Sequence, residues 1–248
     1  MIARGTNTWL LLPALLWITT AAHGQRGGAA ATGKASAPFD LTGYWVSIVT
    51  EDWRYRMVTP TPGDYQGVPM NLAARQVADA WDPTKDEAAG EQCKSYGAPA
   101  LLRVPERLHI TWEDDQTLRE ETDAGMQTRL FHFGDWKAPG GPRTWQGDSV
   151  ARWETAGSRG GPRSGSLRVT TTHLRAGYLR KNGVPYSEDA TLTEYYDVAK
   201  ERNGDVWLVV TIAVQDAKYL TQQFVISSQF KKQADGSGWD PTPCSSRW

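Results

Sequence analysis

A dense set of reactive side chains lies between residues 173 and 196. His173 is suited to act as a base or hydrogen-bond acceptor, and Glu194, on the next predicted strand, could orient its imidazole. Tyr178 and Tyr186 lie between them beside cationic residues, and a cation lowers the pKa of a phenol so that it can act as a general acid. These residue types predict acid–base chemistry without a cofactor, with His173, Glu194, Tyr178 and Tyr186 as the catalytic group.

The same segment supports a second interpretation, in which it forms an exposed hairpin. Asn182-Gly183 favours a tight turn, and charged residues are common at the tips of exposed hairpins. In that case the tyrosines pack along the stem. If the segment instead faces a pocket, Arg180, Lys181 and Tyr196 are candidate ligand-binding residues.

A second set of candidates depends on the register of a predicted three-stranded meander over Arg103–Phe133. With turns at positions 114–115 and 124–125, His109, Glu120 and Arg129 fall in one row across the strands. These three are therefore additional candidates for ligand binding. A slip of one residue would move a side chain to the other face, so the row depends on the turn positions.

Sequence motifs for a cofactor or an activated nucleophile are absent. The chain contains no GxSxG, HExxH, CxxC or Walker motif. After the first two dozen residues the histidines are His109, His132 and His173, and their spacing is not that of a zinc ligand set. The sequence therefore predicts no metal site and no cofactor.

The first 24 residues have the organisation of a secretory signal peptide. Arg4 supplies a positive n-region, Trp9–Ile18 an apolar h-region, and Ala22-His23-Gly24 a cleavage signal. The apolar run is too short for a membrane helix. We therefore predict an exported protein, periplasmic or extracellular, with no membrane span; an uncleaved anchor is the alternative.

The cysteine content fits export. Cys93 and Cys244 are the only two cysteines, and a pair of cysteines in an oxidising compartment is expected to form a disulfide. Two free thiols are the alternative. A catalytic thiol is disfavoured, because Cys244 lies four residues from the C-terminus and no histidine is adjacent to Cys93.

Composition restricts the class of partner. The net charge of −1 argues against nucleic acid, whose binding requires a basic face. The chain has 12 tryptophans, which either fill the core of a wide β-structure or line a pocket for an aromatic ligand. We predict a small-molecule ligand as the partner; the sequence gives no oligomeric state.

Alternating polar and apolar residues predict β-strands along most of the chain. Asn203-Gly204 predicts a tight type I′ hairpin, and Asn71 is a predicted N-cap for one helix, Leu72–Trp81. The pattern favours a mainly β fold, a single antiparallel barrel of about eight or more strands. The predicted strands are Leu41–Val49 continuing towards Val58, those of the meander, Asp148–Glu154, Leu167–Leu174, Ala190–Asp197, Val206–Val214 and Tyr219–Phe230.

The predicted domain organisation has four parts. A signal peptide spans residues 1–24, and a flexible lead-in rich in Gly, Ala and Ser spans 25–40. The β-barrel domain spans 41–230. A tail, 231–248, follows and is tied back by the predicted disulfide.

Three segments carry a resemblance to a known group of proteins. They are GDSVARWE, HLRAGYLRKNGVPYSEDATLTEYYD and VTIAVQDAKYLTQQF, and two segments upstream are also similar. Together they resemble a broad group of exported, Trp-rich bacterial proteins of unassigned function. The resemblance implies a closed, lipocalin-like β-barrel and export, and it implies no catalytic residue. Thr155–Ser166 interrupts the pattern of the group at one barrel edge.

Three function classes fit these observations. The first is a binding protein, a barrel whose mouth admits a small aromatic or apolar molecule, with or without transforming it by cofactor-free acid–base chemistry. The second is a cofactor-independent lyase, isomerase or hydrolase acting on such a compound. The third is a structural or assembly protein of the cell envelope. A polar and aromatic interior favours the first two, and a solid core with a large exposed apolar patch favours the third.

Overall fold

The computed structural model describes residues 1–2, 31–156 and 164–247, and the chain divides into two compact units, 1–30 and 31–248. Apart from its first two residues, the predicted signal peptide 1–24 lies outside the described residues, as does most of the loop 155–166. The second unit contains the predicted barrel domain 41–230 and the tail.

The strands of the second unit build a closed barrel and one small sheet. They are β1 Gly43–Ile48, β2 Arg107–Trp112, β3 Thr117–Thr122, β4 Thr128–His132, β5 Asp148–Ala156, β6 Ser164–Thr172, β7 Gly177–Tyr178, β8 Pro185–Tyr186, β9 Thr191–Lys200, β10 Val206–Gln215 and β11 Phe224–Lys232. Within the described residues, nine of them close in the order β1-β11-β10-β9-β6-β5-β4-β3-β2, while β7 pairs with β8. The prediction of a mainly β, single-barrel fold is confirmed.

The wall of the barrel is antiparallel except at one junction. There β4 and β5 run parallel and are joined through two residue pairs, Phe131 with Ser149 and His132 with Val150. Elsewhere the pairing is extensive: ten residue pairs join β9 to β10. The predicted hairpin at Asn203-Gly204 is confirmed, but only Gly204 has a positive φ, 89°, so its turn is not type I′.

In the part of the chain that the structure describes, four short α-helices and a 3₁₀ helix lie outside the wall. They are α1 Trp53–Arg56, α2 Leu72–Asp79, α3 Pro83–Ala88, the 3₁₀ helix Gln92–Tyr96 and α4 Ala98–Leu101. The predicted helix corresponds to α2, and Asn71 caps it by accepting from the backbone N–H of Ala74 at 3.0 Å. The predicted continuation of the first strand to Val58 is wrong, because Asp52 adopts the left-handed conformation and α1 begins.

Side chains fill the barrel interior. The inward positions of β10, from Leu208 to Val214, are buried, and Trp45, Phe131 and Phe230 occupy the space between opposite walls. Trp45 is the one tryptophan among the largest fully buried side chains of the described chain, and Trp53 is 64% exposed. The interpretation in which the tryptophans fill the core therefore holds only in part.

The hairpin formed by β7 and β8 is folded into the protein. Its turn is closed by a bond from Leu179 N–H to the carbonyl of Val184 at 2.7 Å, and Asn182 donates to two carbonyls of the loop 59–69. Gly183 has a φ of 80°, and a Cβ there would overlap the Trp81 side chain. The turn is where the sequence predicts it, but the interpretation as an exposed hairpin tip is wrong, because the loop 59–69 and Trp81, which follows α2, cover it.

Both ends of the second unit are attached to the barrel. The described part of the lead-in makes specific contacts: Gly33 donates to the Gln116 side chain at 2.8 Å, and Trp153 donates to the Gly33 carbonyl at 2.7 Å. The predicted disulfide between Cys93 and Cys244 is confirmed, with sulfurs 2.06 Å apart. It holds the tail against the helices that precede β2.

Candidate functional site

Four buried polar side chains meet inside the barrel, on inward-facing positions of β3, β4 and β9. The Arg129 guanidinium donates to Glu120 Oε1 at 3.1 Å and to both Glu194 oxygens at 3.0 and 2.5 Å. The Tyr196 hydroxyl donates to Glu120 Oε2 at 3.0 Å. Strand register explains the meeting, since Glu120 pairs with Arg129 across β3 and β4. We call Glu120, Arg129, Glu194 and Tyr196 the interior network.

The interior network is sealed from solvent, since none of its members is more than 2% exposed. Burial and the repulsion of Glu194 raise the pKa of Glu120 to about 7, although Arg129 lowers it. Burial lowers the pKa of Arg129, but the surrounding carboxylates and Tyr196 outweigh it and raise that pKa. The four groups thus pair with one another and link three strands, although Nε of Arg129 has no hydrogen-bond partner among the described residues. A ligand could reach them only by displacing core side chains.

His109 lies apart from this network. It pairs with Glu121 across β2 and β3, and its Nδ1 contacts the Glu121 carboxylate at 3.2 Å. Its ring stacks on Tyr44 with centroids 4.2 Å apart. The predicted row is therefore right for Glu120 and Arg129 and wrong for His109, because Ile110 is the residue opposite Glu120.

His173 has a carboxylate partner, but that partner is Asp148. Nδ1 of His173 lies 2.9 Å from Asp148 Oδ2, because Asp148 at the start of β5 pairs with Thr172 at the end of β6. Glu194 instead binds Arg129 inside the barrel, so it does not orient His173. His173 also has a φ of 56°, a conformation that costs energy in a residue other than glycine.

The two tyrosines of the predicted catalytic group occupy different surroundings. The Tyr178 hydroxyl donates to Asp86 Oδ2 at 3.0 Å, and burial and Asp86 raise its pKa to about 12, although Lys94 lowers it. Burial raises the pKa of Tyr186, which is fully buried and whose hydroxyl has no hydrogen-bond partner among the described residues. The predicted lowering of the tyrosine pKa values is therefore wrong.

Tyr178 lines a surface cavity of about 580 Å³ between α2, α3 and the loop that precedes β11. Aromatic rings of Trp81, Tyr178 and Tyr219 line it, and we call it the aromatic groove. Val77 of α2 and Ala80 just after it add apolar surface, and Asp86 adds a carboxylate. The loop is held in place by Asn71, whose N–H donates to the Tyr219 carbonyl at 3.0 Å and whose side chain donates to the Lys218 carbonyl.

The polar side of the aromatic groove is an ion-pair network. Lys94 donates to Asp86 Oδ1 at 2.9 Å and also pairs with Glu91. Its ammonium lies 5.6 Å from the centroid of the Tyr178 ring. The contacts among Asp86, Lys94 and Tyr178 orient the phenol, so that its ring forms part of the wall.

Arg180 and Lys181 lie on the other side of the same hairpin. Arg180 donates to the Gln66 carbonyl at 2.8 Å and stacks over the Tyr55 ring, 4.2 Å from its centroid. Lys181 donates to the Tyr96 hydroxyl at 2.6 Å. Both cations line a small cavity of about 20 Å³ together with Arg56 and Arg103, and all are at most 5% exposed.

The sequence did not predict the residues that contact these candidate side chains in the folded protein. Asp86 and Tyr178 are 92 positions apart, and no local pattern marks Trp81, Tyr219 or Arg103. Within the described ranges, no group of three or more His, Cys, Asp or Glu side chains could hold a metal ion. No helix in the described part of the chain is long and apolar enough to cross a membrane.

Comparisons with protein-family models, curated proteins and solved structures give no match. The class of the protein is therefore defined here by its fold, a closed nine-stranded β-barrel with a disulfide, and by the geometry of its surface cavities.

Proposed function

We propose that the protein binds a small aromatic or apolar molecule, and that the ligand occupies the aromatic groove. The observation that supports this is the lining of one cavity by the three rings of Trp81, Tyr178 and Tyr219. Its volume of about 580 Å³ lies within the range typical of small-molecule sites, about 300–1,000 Å³. Aromatic side chains present rigid apolar faces against which a ring can stack.

The barrel interior is a poorer site for such a ligand. It contains Trp45, Phe131, Phe230 and the interior network, all buried. Displacing one charged side chain of that network would leave a buried charge without its partner, which costs about 3–5 kcal/mol. The groove needs no such displacement, because its rings already face a cavity.

The polar lining of the groove favours a ligand with one hydrogen-bonding group. Asp86 accepts from Tyr178 and Lys94 on one side of the cavity. A phenol or an indole can place its ring against Trp81 and its O–H or N–H near this carboxylate. Fixed polar groups of this kind set the orientation of a ligand in an otherwise apolar site.

Export is part of the proposal. The disulfide is compatible with an oxidising compartment, where the predicted signal peptide would deliver the chain. The resemblance to exported, Trp-rich bacterial proteins favours the same location. N-terminal sequencing of the protein recovered from its native host tests this, and we expect the mature chain to begin near Gln25.

The test of ligand binding is a calorimetric titration with phenol, indole and naphthol. Trp81→Ala removes one wall of the groove, and Trp53→Ala is the matched control, because Trp53 is 64% exposed and lies on α1. Truncation of an aromatic anchor typically costs about 2 kcal/mol or more, about 30-fold in affinity. Equal affinity in the two variants, or no binding by the wild-type protein, would exclude the groove.

A second candidate function is acid–base chemistry at His173. It is favoured by the 2.9 Å contact with Asp148 and by the positive φ of His173, since strained residues cluster at active sites. His173 is the base and Asp148 its orienting carboxylate. If a bound aromatic is turned over, His173→Gln should lower the rate by about two to four orders of magnitude. An unchanged rate would exclude this role.

A further inference from the structure

Four cationic side chains converge beneath the β7–β8 hairpin, and they come from three separate parts of the chain. Arg56 is the last residue of α1, Arg103 follows α4, and Arg180 and Lys181 lie in the hairpin. Each is at most 5% exposed, although arginine and lysine are rarely buried unless they are paired. We call these four residues the cation cluster.

Each of the three arginines makes hydrogen bonds to neighbouring residues, and each also has one N–H group without a hydrogen-bond partner among the described residues. Arg56 donates to the Arg103 carbonyl and to Ser47, both at 3.0 Å. Arg103 donates from Nη2 to Asp52 at 2.9 Å, and Arg180 from Nη1 to the Gln66 carbonyl at 2.8 Å. Among the described residues, Nη1 of Arg56, Nη1 of Arg103 and Nε of Arg180 have no hydrogen-bond partner.

The carboxylates near the three arginines of the cluster compensate their charge only in part. Asp52 pairs with Arg103, and Glu51 lies 3.8 Å from Arg56, but these carboxylates are 39% and 33% exposed. Glu106 lies near Arg56, but burial and the neighbouring Glu120 and Asp123 raise its pKa well above the usual value, which disfavours its charged form.

The arginines also repel one another. Burial and the charge of Arg103 lower the pKa of both Arg56 and Arg180 to about 10. Burial alone lowers the pKa of Lys181 to about 7. Buried charge of one sign without full compensation is costly, and an anion among these groups would offset that cost.

The cluster encloses a space of the size that such an anion needs. The cavity that Arg56, Arg103, Arg180 and Lys181 line has a volume of about 20 Å³, enough for one water-sized atom. Apolar walls from Val104 and the hairpin complete it. A halide ion fits this space whole. A carboxylate can place one oxygen in it because its remaining atoms lie in one plane, whereas the other three oxygens of a tetrahedral oxyanion spread in all directions and need more room.

We propose that this cavity is a binding site for a small monovalent anion, either chloride or the carboxylate of a small organic acid, bound by the unpartnered N–H groups of Arg56, Arg103 and Arg180. The site shares no lining residue with the aromatic groove. Its walls come from α1, the segment after α4 and the hairpin, so the anion links three parts of the chain that no strand pairing connects.

The experiment is thermal unfolding of the full protein at constant ionic strength. A bulky sulfonate that cannot enter the cavity is replaced stepwise by chloride, formate or sulfate. We expect Tm to rise with chloride and formate and to saturate, as for a ligand that binds only the folded state. Sulfate should have no saturable effect. Absence of saturation with both chloride and formate would overturn the proposal.

Two variants test whether the anion that raises Tm binds at the cation cluster. Arg180→Gln should weaken the apparent anion affinity at least tenfold, because it removes a charged donor. Arg54→Gln is the matched control, since Arg54 lies on α1 beside Arg56 but has a side chain that is 59% exposed; its affinity should equal that of the wild type. If the two variants bind equally well, the anion lies elsewhere. If Arg180→Gln does not fold, bromide soaked into wild-type crystals should appear by anomalous scattering against Arg103, and bromide absent from that position contradicts the proposal.

Discussion

Replacement of Glu120 by glutamine should change how the stability of the protein depends on pH. The Glu120 carboxyl lies wholly inside the barrel, and its pKa is raised from an ordinary 4.5 to about 7. Folded protein therefore holds a proton on Glu120 over a pH range in which the unfolded chain has released it. The contribution of the Glu120 carboxyl to the free energy of unfolding has its full value below about pH 4.5 and is lost as the pH rises through about 7.

The size of the effect follows from the two pKa values. One pKa unit corresponds to about 1.4 kcal/mol, so the rise from 4.5 to about 7 corresponds to about 3 kcal/mol of stability lost between those pH values. Glutamine has nearly the same shape but does not titrate. Relative to the Glu120→Gln variant, the wild-type protein should therefore lose about 3 kcal/mol as the pH rises.

Urea unfolding at pH 5, 6, 7 and 8 measures this difference. With a slope of about 3 kcal/mol per molar urea, the upper end of the usual range because the slope grows with chain size, the midpoint of the wild type should fall by about 1 M relative to the variant. Glu201→Gln is the control, because Glu201 is exposed in the β9–β10 turn and should leave the pH dependence unchanged. Parallel pH curves for wild type and Glu120→Gln would refute the assignment of a raised pKa to Glu120.

Three further predictions concern stability. Arg129→Met leaves two buried carboxylates without their guanidinium and should cost about 3–5 kcal/mol in urea unfolding; a loss under 1 kcal/mol would contradict the ion pairing described. Replacing Cys93 and Cys244 by alanine opens a loop with a sequence separation of 151 and should cost about 5 kcal/mol relative to the oxidised wild type, whereas the reduced wild type should resemble the variant. In Gly183→Ala the new Cβ overlaps the Trp81 side chain and the backbone keeps a φ of 80°, so the Tm of this variant should fall by several degrees. Gly204→Ala has open space around the new Cβ, so its Tm should fall less.

Features fixed by neighbouring residues could be predicted from the sequence. The Asn71 cap, the Asn182-Gly183 turn and the cysteine pair depend on residue types at short spacing or on compartment, and all three are present. The alternation of polar and apolar residues along the strands was also sufficient to predict a barrel. These signals require no knowledge of which strands become neighbours.

The candidate sites depend on pairings that the sequence does not encode locally. A register one residue different from the expected one places His109 on the outer wall, while Glu120 still meets Arg129. His173 contacts Asp148 because β5 pairs with β6, and the tyrosine pKa values rise because the hairpin is buried. The cation cluster combines residues from three distant segments, so it appears only once the chain is folded.

The position of the disulfide has a consequence for how the barrel comes apart. The covalent loop from Cys93 to Cys244 contains every barrel strand of the described chain except β1, which fits between β2 and β11. If β1 detaches, the other eight strands remain on one covalently closed loop of chain, and the edges of β2 and β11 that β1 covered become exposed. Edges of that kind accept a replacement strand. Exchange of β1 between two copies is therefore the route to a domain-swapped dimer that leaves the disulfide intact.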